Sequence, residues 1–173
     1  VVDRCVKRLR ALSDLFGNQL KTVYSTVDTI DRYVTDADLV IGAVLIPGEA
    51  APKVVSRDMV KRMRGGSALV DIAIDQGGCF EDSKPTTHDD PTFRVHDAVF
   101  YCVANMPGAY PQTSTYALTN ATLPYVKALA KYGAEEVCEY FPVMISALNT
   151  FDGKLYNAAV GEAHGIESFT FGG

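Results

Sequence analysis

Residues 68–79 read ALVDIAIDQGGC, an apolar run from Ala68 to Ile74 interrupted by Asp71 and closed by Asp75, Gln76, Gly77 and Gly78. A short apolar run bounded by turn residues is the pattern of a strand buried on both faces. Two runs of the same kind stand on either side, Asp38 to Leu45 (DLVIGAVL) and Ala98 to Val103 (AVFYCV). Between the first two, Ser56 is a candidate N-cap for a helix carrying Asp58, Met59, Val60 and Met63, stopped by Gly65 and Gly66. Upstream, Val1 to Asp3 reads as a strand end. Cys5, Leu9, Leu12 and Phe16 then share one helix face before Gly17. Leu20 to Ser25 reads as a strand and Thr29 to Val34 as a short helix. Strands alternating with helices of this length predict βαβ units and a mostly parallel sheet, an α/β fold. A loop is expected from Asp75 to Asp97, long enough to suggest a functional segment. From about Thr113 to Tyr132 the pattern changes to one long helix, with Tyr116, Leu123, Val126 and Ala130 on its apolar face and Pro124 as a candidate kink. The last forty or so residues carry only short helical stretches and one turn at Phe151 to Lys154.

Composition narrows the class. The chain has 173 residues, 47% hydrophobic and 21% charged, the balance of a globular protein. With 21 Asp+Glu against 16 Lys+Arg its formal charge is −5, which argues against a nucleic-acid partner held through phosphates. No uncharged apolar run reaches the length of a membrane-spanning helix, and no membrane partner is expected. Cys5, Cys79, Cys102 and Cys138 are widely spaced without a CxxC pair, so reduced thiols in a cytoplasm are expected.

Several residues carry possible chemistry. Asp75 follows a strand at the carboxyl edge where open α/β sheets bind ligands, and Gly77 and Gly78 allow close backbone approach. A carboxylate there can move protons or orient a cofactor; it can equally be a turn aspartate bonding its own backbone. Asp3, at another strand end, suits the ribose hydroxyls of a dinucleotide, or it caps the following helix. Arg4, Lys7, Arg8 and Arg10 lie just beyond it, within reach of a phosphate or simply on a solvated face. His88 between Thr87 and the pair Asp89 and Asp90 raises a metal site, but three or four convergent ligands are needed and a polar loop is the better reading; no metal is expected. His96 and His164 are isolated. Cys79 and Cys102 read as packing residues without a neighbouring base. Val103 to Pro107 ends a strand at the same presumed edge, where Asn105 is placed for an amide contact or a plain turn. The hydroxyl-rich run Thr113 to Thr122 bonds back to its own helix or lines an interface.

Taken together, Ala37 to Gly48 (ADLVIGAVLIPG), Val70 to Glu81 (VDIAIDQGGCFE), Pro85 to Phe93 (PTTHDDPTF), Tyr101 to Gly108 (YCVANMPG) and Thr113 to Tyr125 (TSTYALTNATLPY) closely resemble the alanine dehydrogenases. The resemblance covers nearly the whole chain and is weakest after Lys127. The NAD-binding subunit of proton-translocating transhydrogenase shares the Gln-Gly-Gly turn. The aspartate before that turn and the TTHDDP loop look like those of alanine dehydrogenase.

The resemblance implies reversible conversion of L-alanine to pyruvate and ammonia with NAD, in a homo-oligomer, commonly a hexamer. It implies Asp3 on the adenosine ribose with Arg8 and Ser25 near it, and Val44 and Leu45 packed along the cofactor. Ile72, Ala73, Ile74 and Asp75, with Val103, Ala104, Asn105 and Met106, would border the nicotinamide ribose and ring. Lys84 would lie near the cofactor, and Asp75 would be the catalytic aspartate. The arginine and lysine that grip the substrate carboxylate in this family, its acid/base histidine and its glycine fingerprint have no counterpart here. The expected fold is therefore a partial NAD-binding Rossmann domain over 1–112, a parallel sheet lacking its first strand, followed over 113–173 by a crossover helix and the C-terminal part of the catalytic domain. The strands ending at Asp3 and beginning at Asp38 would each be left with an open edge. On that ground the isolated chain is not expected to hold a closed sheet with an intact NAD pocket. A non-catalytic NAD-binding or oligomer-forming remnant, and a transhydrogenase component, are the competing readings.

Overall fold

The computed structural model describes residues 1–44, 46 and 50–172. They form two compact units, Val1–Met106 and Pro107–Gly173. In the first, β1 (Val2–Asp3) pairs in parallel with β2 (Val23–Tyr24). A separate four-stranded sheet runs β3-β4-β6-β5, from β3 (Leu39–Gly42), β4 (Ala68–Asp71), β5 (Thr92–Val95) and β6 (Ala98–Tyr101). β3, β4 and β6 are parallel; β5 is antiparallel to β6. The two sheets are the 3-2 and 4-5-6 parts of the doubly wound strand order. β1 and β3 are not bonded to each other, and the strand that separates them in that order has no counterpart among the described residues.

Local chemistry sets the element ends. Helix α1 (Val6–Phe16) buries Leu9 and ends at Gly17, whose φ is 53°. Helix α2 (Val27–Thr35) starts two residues before the expected Thr29. Thr26 is its N-cap: Thr26 Oγ1 accepts from Thr29 N, and Thr26 N donates to Thr29 Oγ1, a reciprocal capping box. Helix α3 (Arg57–Arg62) is capped by Ser56, as its position in the sequence suggests.

Three differences from the sequence reading have physical causes. β4 ends at Asp71, not Ile74, because the Asp71 carboxylate accepts from Ala73 N and starts a 3-10 turn over Ile72–Gln76. β3 stops at Gly42 and is not covered on both faces: Leu39 and Ile41 are 55% and 58% exposed, while Gly42 is buried. A Cβ on Gly42 would collide with Cys79 Sγ and the Phe80 ring, so the chain beyond β4 packs directly on this glycine. The segment expected to be a loop contains β5, whose alternation of exposed Thr92 and Arg94 with half-buried Phe93 and Val95 is that of an edge strand.

The core of this unit lies between α2, α3 and the four-stranded sheet, around Leu69, Phe80, Phe100 and Met59. Phe100 is fully buried, edge-on to Phe80 at 6.0 Å and stacked on Phe93 at 5.2 Å.

In the second unit, α4 (Pro111–Tyr140) is broken at Gly133, where φ 77° and ψ 176° are open only to glycine. The expected helix end at Tyr132 is this break. Beyond it, Val137 and Cys138 pack with Ala128, Tyr132, Met144 and Phe171. The anticipated apolar face of α4 stays exposed, with Tyr116 at 62% and Val126 at 56%, because no surface among the described residues covers it. Hairpin β7 (Thr150–Phe151) and β8 (Lys154–Leu155) turns at Asp152 and Gly153, both at positive φ, and α5 (Ala158–His164) is capped by Asn157. No helix among the described residues is long and apolar enough to cross a membrane.

Phe100→Ala is expected to lower the stability of the first unit by about 3–5 kcal/mol, the range for emptying a buried phenylalanine site. Urea unfolding followed by circular dichroism reads that loss, and a change below about 1 kcal/mol would mean that Phe100 is not the centre of the core.

Candidate functional site

The parallel strands β3, β4 and β6 end side by side. Gly42 is in register with Asp71, and Val70 with Tyr101. Every chain segment that leaves them, residues 43–44, 72–76 and 102–106, therefore departs from one carboxyl edge. That edge is where open α/β sheets form ligand crevices.

The segment after β4 is the most tightly built. Asp71 is fully buried. Its Oδ1 accepts from Ala73 N at 3.0 Å, and its Oδ2 accepts from Cys79 N at 2.8 Å, Phe80 N at 3.2 Å and the Ser83 hydroxyl. A buried carboxylate is tolerated only with such a set of donors. The 3-10 turn closes on Gly77 at φ 88°, followed by Gly78 at φ 74°. A Cβ on Gly78 would lie 2.6 Å from Ser83 Cβ and 2.7 Å from Asp71 Oδ2, so no side chain fits there. Lys53 Nζ donates to the carbonyls of Gly77 at 2.6 Å and Gly78 at 2.8 Å. On this turn Asp75 and Ile72 are exposed, Ala73 is half-buried, and Ile74 turns its side chain into the core at 4% exposure.

The segment after β6 is held by the loop before β5. Thr86 N donates to Cys102 O at 2.9 Å, and Ala104 N returns a bond to Thr86 O at 3.1 Å. This stitch brings His88 Nε2 to 3.2 Å from the Asn105 carbonyl. Asn105 has φ 55°, a left-handed conformation uncommon outside glycine. Val103 is fully buried, Ala104 and Asn105 are exposed, and Met106 begins a 3-10 turn.

The remaining sequence candidates lie as follows. Asp3 and Ser25 adjoin at the ends of β1 and β2, where Ser25 N donates to Asp3 O at 2.9 Å. Asp3 Oδ1 accepts from Cys5 N at 2.7 Å, but the N-cap of α1 is Cys5, so Asp3 is not the helix cap. Asp3 Oδ2 takes no bond among the described residues. Arg8 is exposed on α1. Val44 is half-buried against the core, and Leu45 lies outside the described residues. Lys84 Nζ sits 4.5 Å from the centre of the Phe93 ring, a cation–π contact on the flank of β5. Among the described residues no three His, Cys, Asp or Glu side chains converge as a metal site.

Sequence reading passed over two residues of this site. Asp71 was visible as a charge within an apolar strand, which is the signal of a structural or functional carboxylate. Lys53 carried no local signal at all, because its partners lie more than twenty residues away.

The chain from residue 1 to 158 matches the model of the family described as alanine dehydrogenase/PNT, C-terminal domain. It is 54% identical to the alanine dehydrogenase of Halomonas elongata over 167 residues, covering 96% of this chain and 45% of that protein. With the alanine dehydrogenase of Mycolicibacterium smegmatis the identity is 55% over 160 residues, 92% of this chain and 43% of that one. A solved L-alanine dehydrogenase superposes with a TM-score of 0.83 at 44% identity, over 95% of this chain and 45% of that chain. The chain thus spans somewhat under half the length of the relatives it matches.

Burial pushes the Cys79 thiol up to about 12, with the Asp71 charge adding to it, and burial also raises Cys102. Cys5 is exposed, whereas Cys79, Cys102 and Cys138 are buried. Iodoacetamide on the native protein is expected to label Cys5 and spare the other three, as read by peptide mass. Because the folded value for Cys79 lies above the ordinary 9.0, its contribution to stability is intact below that pH and is lost as pH rises toward 12. The urea midpoint should fall over that window, and less steeply in Cys79→Ala.

Proposed function

The chain belongs to the alanine dehydrogenase/PNT C-terminal domain family, and from that premise we propose that it is the NAD-binding part of an alanine dehydrogenase. The reaction would be the reversible, NAD-dependent conversion of L-alanine to pyruvate and ammonia. The observation that carries the proposal is the exposed Asp75 carboxylate, set on a braced turn at the shared carboxyl edge of β3, β4 and β6.

The residues present suit a dinucleotide. Asp3 is half-buried at a strand end, with one carboxylate oxygen fixed by Cys5 N and the other available to ribose hydroxyls. A phosphate on the 2′ position would be repelled there, which favours NAD over NADP. Ser25 adjoins Asp3, and Arg8, exposed on α1, would lie near the adenosine ribose. At the other strand ends, Val44 and Leu45 would pack along the cofactor. Ile72, Ala73 and Ile74, with Val103, Ala104, Asn105 and Met106, would border the nicotinamide ribose and ring. Ile74 can contribute only through its backbone, since its side chain belongs to the core. Lys84 would add positive charge on the β5 flank.

When bound, NAD supplies the acceptor for the hydride leaving the alanine Cα. Asp75 is the group of this chain that handles protons. As a carboxylate it takes the proton of the water that adds to the imine carbon, then gives it to the amino group as the carbinolamine expels ammonia and its hydroxyl proton passes to solvent, and the reductive direction runs the same transfers in reverse. Its exposure at the edge gives it access to a substrate presented from outside this sheet. The same reading assigns residues 1–112 to the NAD-binding domain and 113–173 to the crossover helix and part of the catalytic domain. It also assigns the protein to a cytoplasmic homo-oligomer.

The test uses the full-length protein that carries this chain. L-Alanine with NAD should give NADH, and pyruvate with ammonia should consume it. Asp75→Asn is expected to lower kcat by about 10²-fold or more with NAD still bound, the usual size of a lost acid/base group. Asp3→Ala should raise KM for NAD with little change in kcat. NAD binding without any alanine-dependent turnover would instead favour a non-catalytic remnant.

A further inference from the structure

The turn that carries Asp75 is gripped by two side chains that have no place in the proton chemistry. Asp71 collects the N–H groups of Ala73, Cys79 and Phe80 and the Ser83 hydroxyl. Lys53 collects the carbonyls of Gly77 and Gly78. These bonds bracket Asp75 in sequence, from residue 73 before it to residue 83 after it.

The grip is reinforced by backbone pairing. Ala51 N donates to Gln76 O at 2.9 Å, Val54 N to Cys79 O at 2.8 Å, and Glu81 N to Val55 O at 2.9 Å. The strip 51–55 therefore runs beside the turn and delivers Lys53 to it. Two adjacent glycines at positive φ, Gly77 and Gly78, have more backbone freedom than any other residue type would there. The ammonium on their carbonyls and the carboxylate on the amides that follow remove that freedom.

We propose that Asp71 and Lys53 are positioning residues of the dehydrogenase reaction: one holds the N–H groups and the other the carbonyls of the Ile72–Ser83 segment, so that Asp75 stands in a single place at the sheet edge. This rests on the reading of Asp75 as the proton-handling group. It adds that the placement of Asp75 depends on two charged side chains bonded to the backbone of its own segment. A misplacement of about 1 Å in such a group can cost about 10²-fold in rate.

The experiment uses the full-length enzyme with three variants: Asp71→Asn, Lys53→Met and Lys53→Arg. Lys53 is exposed, so its variants are expected to fold even where the Asp71 variant is unstable. In Lys53→Met, kcat should fall about tenfold, with KM for L-alanine unchanged and the melting temperature close to that of the parent. Lys53→Arg, which can still donate to two carbonyls, should recover most of the lost kcat. Amide hydrogen exchange read by mass spectrometry should be faster over residues 73–83 in Lys53→Met and in Asp71→Asn than in the parent, and near parental in Lys53→Arg. Parental kcat in a folded Lys53→Met, or parental exchange over 73–83 in both disruptive variants, overturns the proposal. Equal kcat in the Met and Arg variants does so as well. Failure of the underlying function looks different: the parent enzyme itself would not turn over L-alanine, while the exchange measurement would still report on the grip.

Discussion

A carboxylate cannot be buried without donors, and the site is organised around that constraint at Asp71. Removing such a group from water costs several kcal/mol unless hydrogen bonds replace its hydration. Ala73, Cys79, Phe80 and Ser83 supply them. To do so the chain must leave the β4 line at once, curl through a 3-10 turn, and fold back over the end of the sheet. The positive φ of Gly77 and Gly78 makes the return possible. The close approach of Gly78 to the carboxylate makes it compact. Asp75 is exposed at the edge because Asp71 is buried beneath it.

The rest of the first unit supports that turn. Phe80, placed by the Asp71 network, packs edge-on to Phe100 of β6, and Cys79 and Phe80 fill the space over Gly42 of β3. The turn thus locks three parallel strand ends together, and the shape of their carboxyl edge follows from the core. A second brace acts on β6, where the Thr86 ladder brings His88 to the carbonyl of Asn105 and accompanies its left-handed backbone. Two of the three segments leaving the edge are therefore held by bonds from distant parts of the chain.

Much of this was legible in the residues. Apolar runs ending in turn residues located β3, β4 and β6. Ser56 marked the start of α3, and the resemblance to alanine dehydrogenase pointed to Asp75 and the Val103–Met106 turn. Other features were hidden for identifiable reasons. β5 is four residues long with polar alternate positions, so it reads as loop until β6 pairs with it. Periodicity carried the β4 reading on to Ile74, since Ile72 and Ile74 are good strand formers and only the Asp71–Ala73 bond ends the strand. The apolar residues of α4 suggested a buried face, but burial requires a partner surface and none covers Tyr116 or Val126 among the described residues.

The sequence by itself determined the α/β class, the carboxyl ends of the strands, the carboxylate that follows one of them and the family to which the chain belongs. These are properties of local pattern and of residues that must be neighbours in the chain. Only the tertiary structure decided that β4 ends at Asp71, that the Asp71 carboxylate accepts from the amides of Ala73, Cys79 and Phe80, and that Lys53 reaches the Gly77–Gly78 carbonyls. The physical reason is the same in each case. Hydrogen-bond satisfaction of a buried or turning segment draws on donors and acceptors wherever the fold brings them, and separation along the chain carries no record of that meeting.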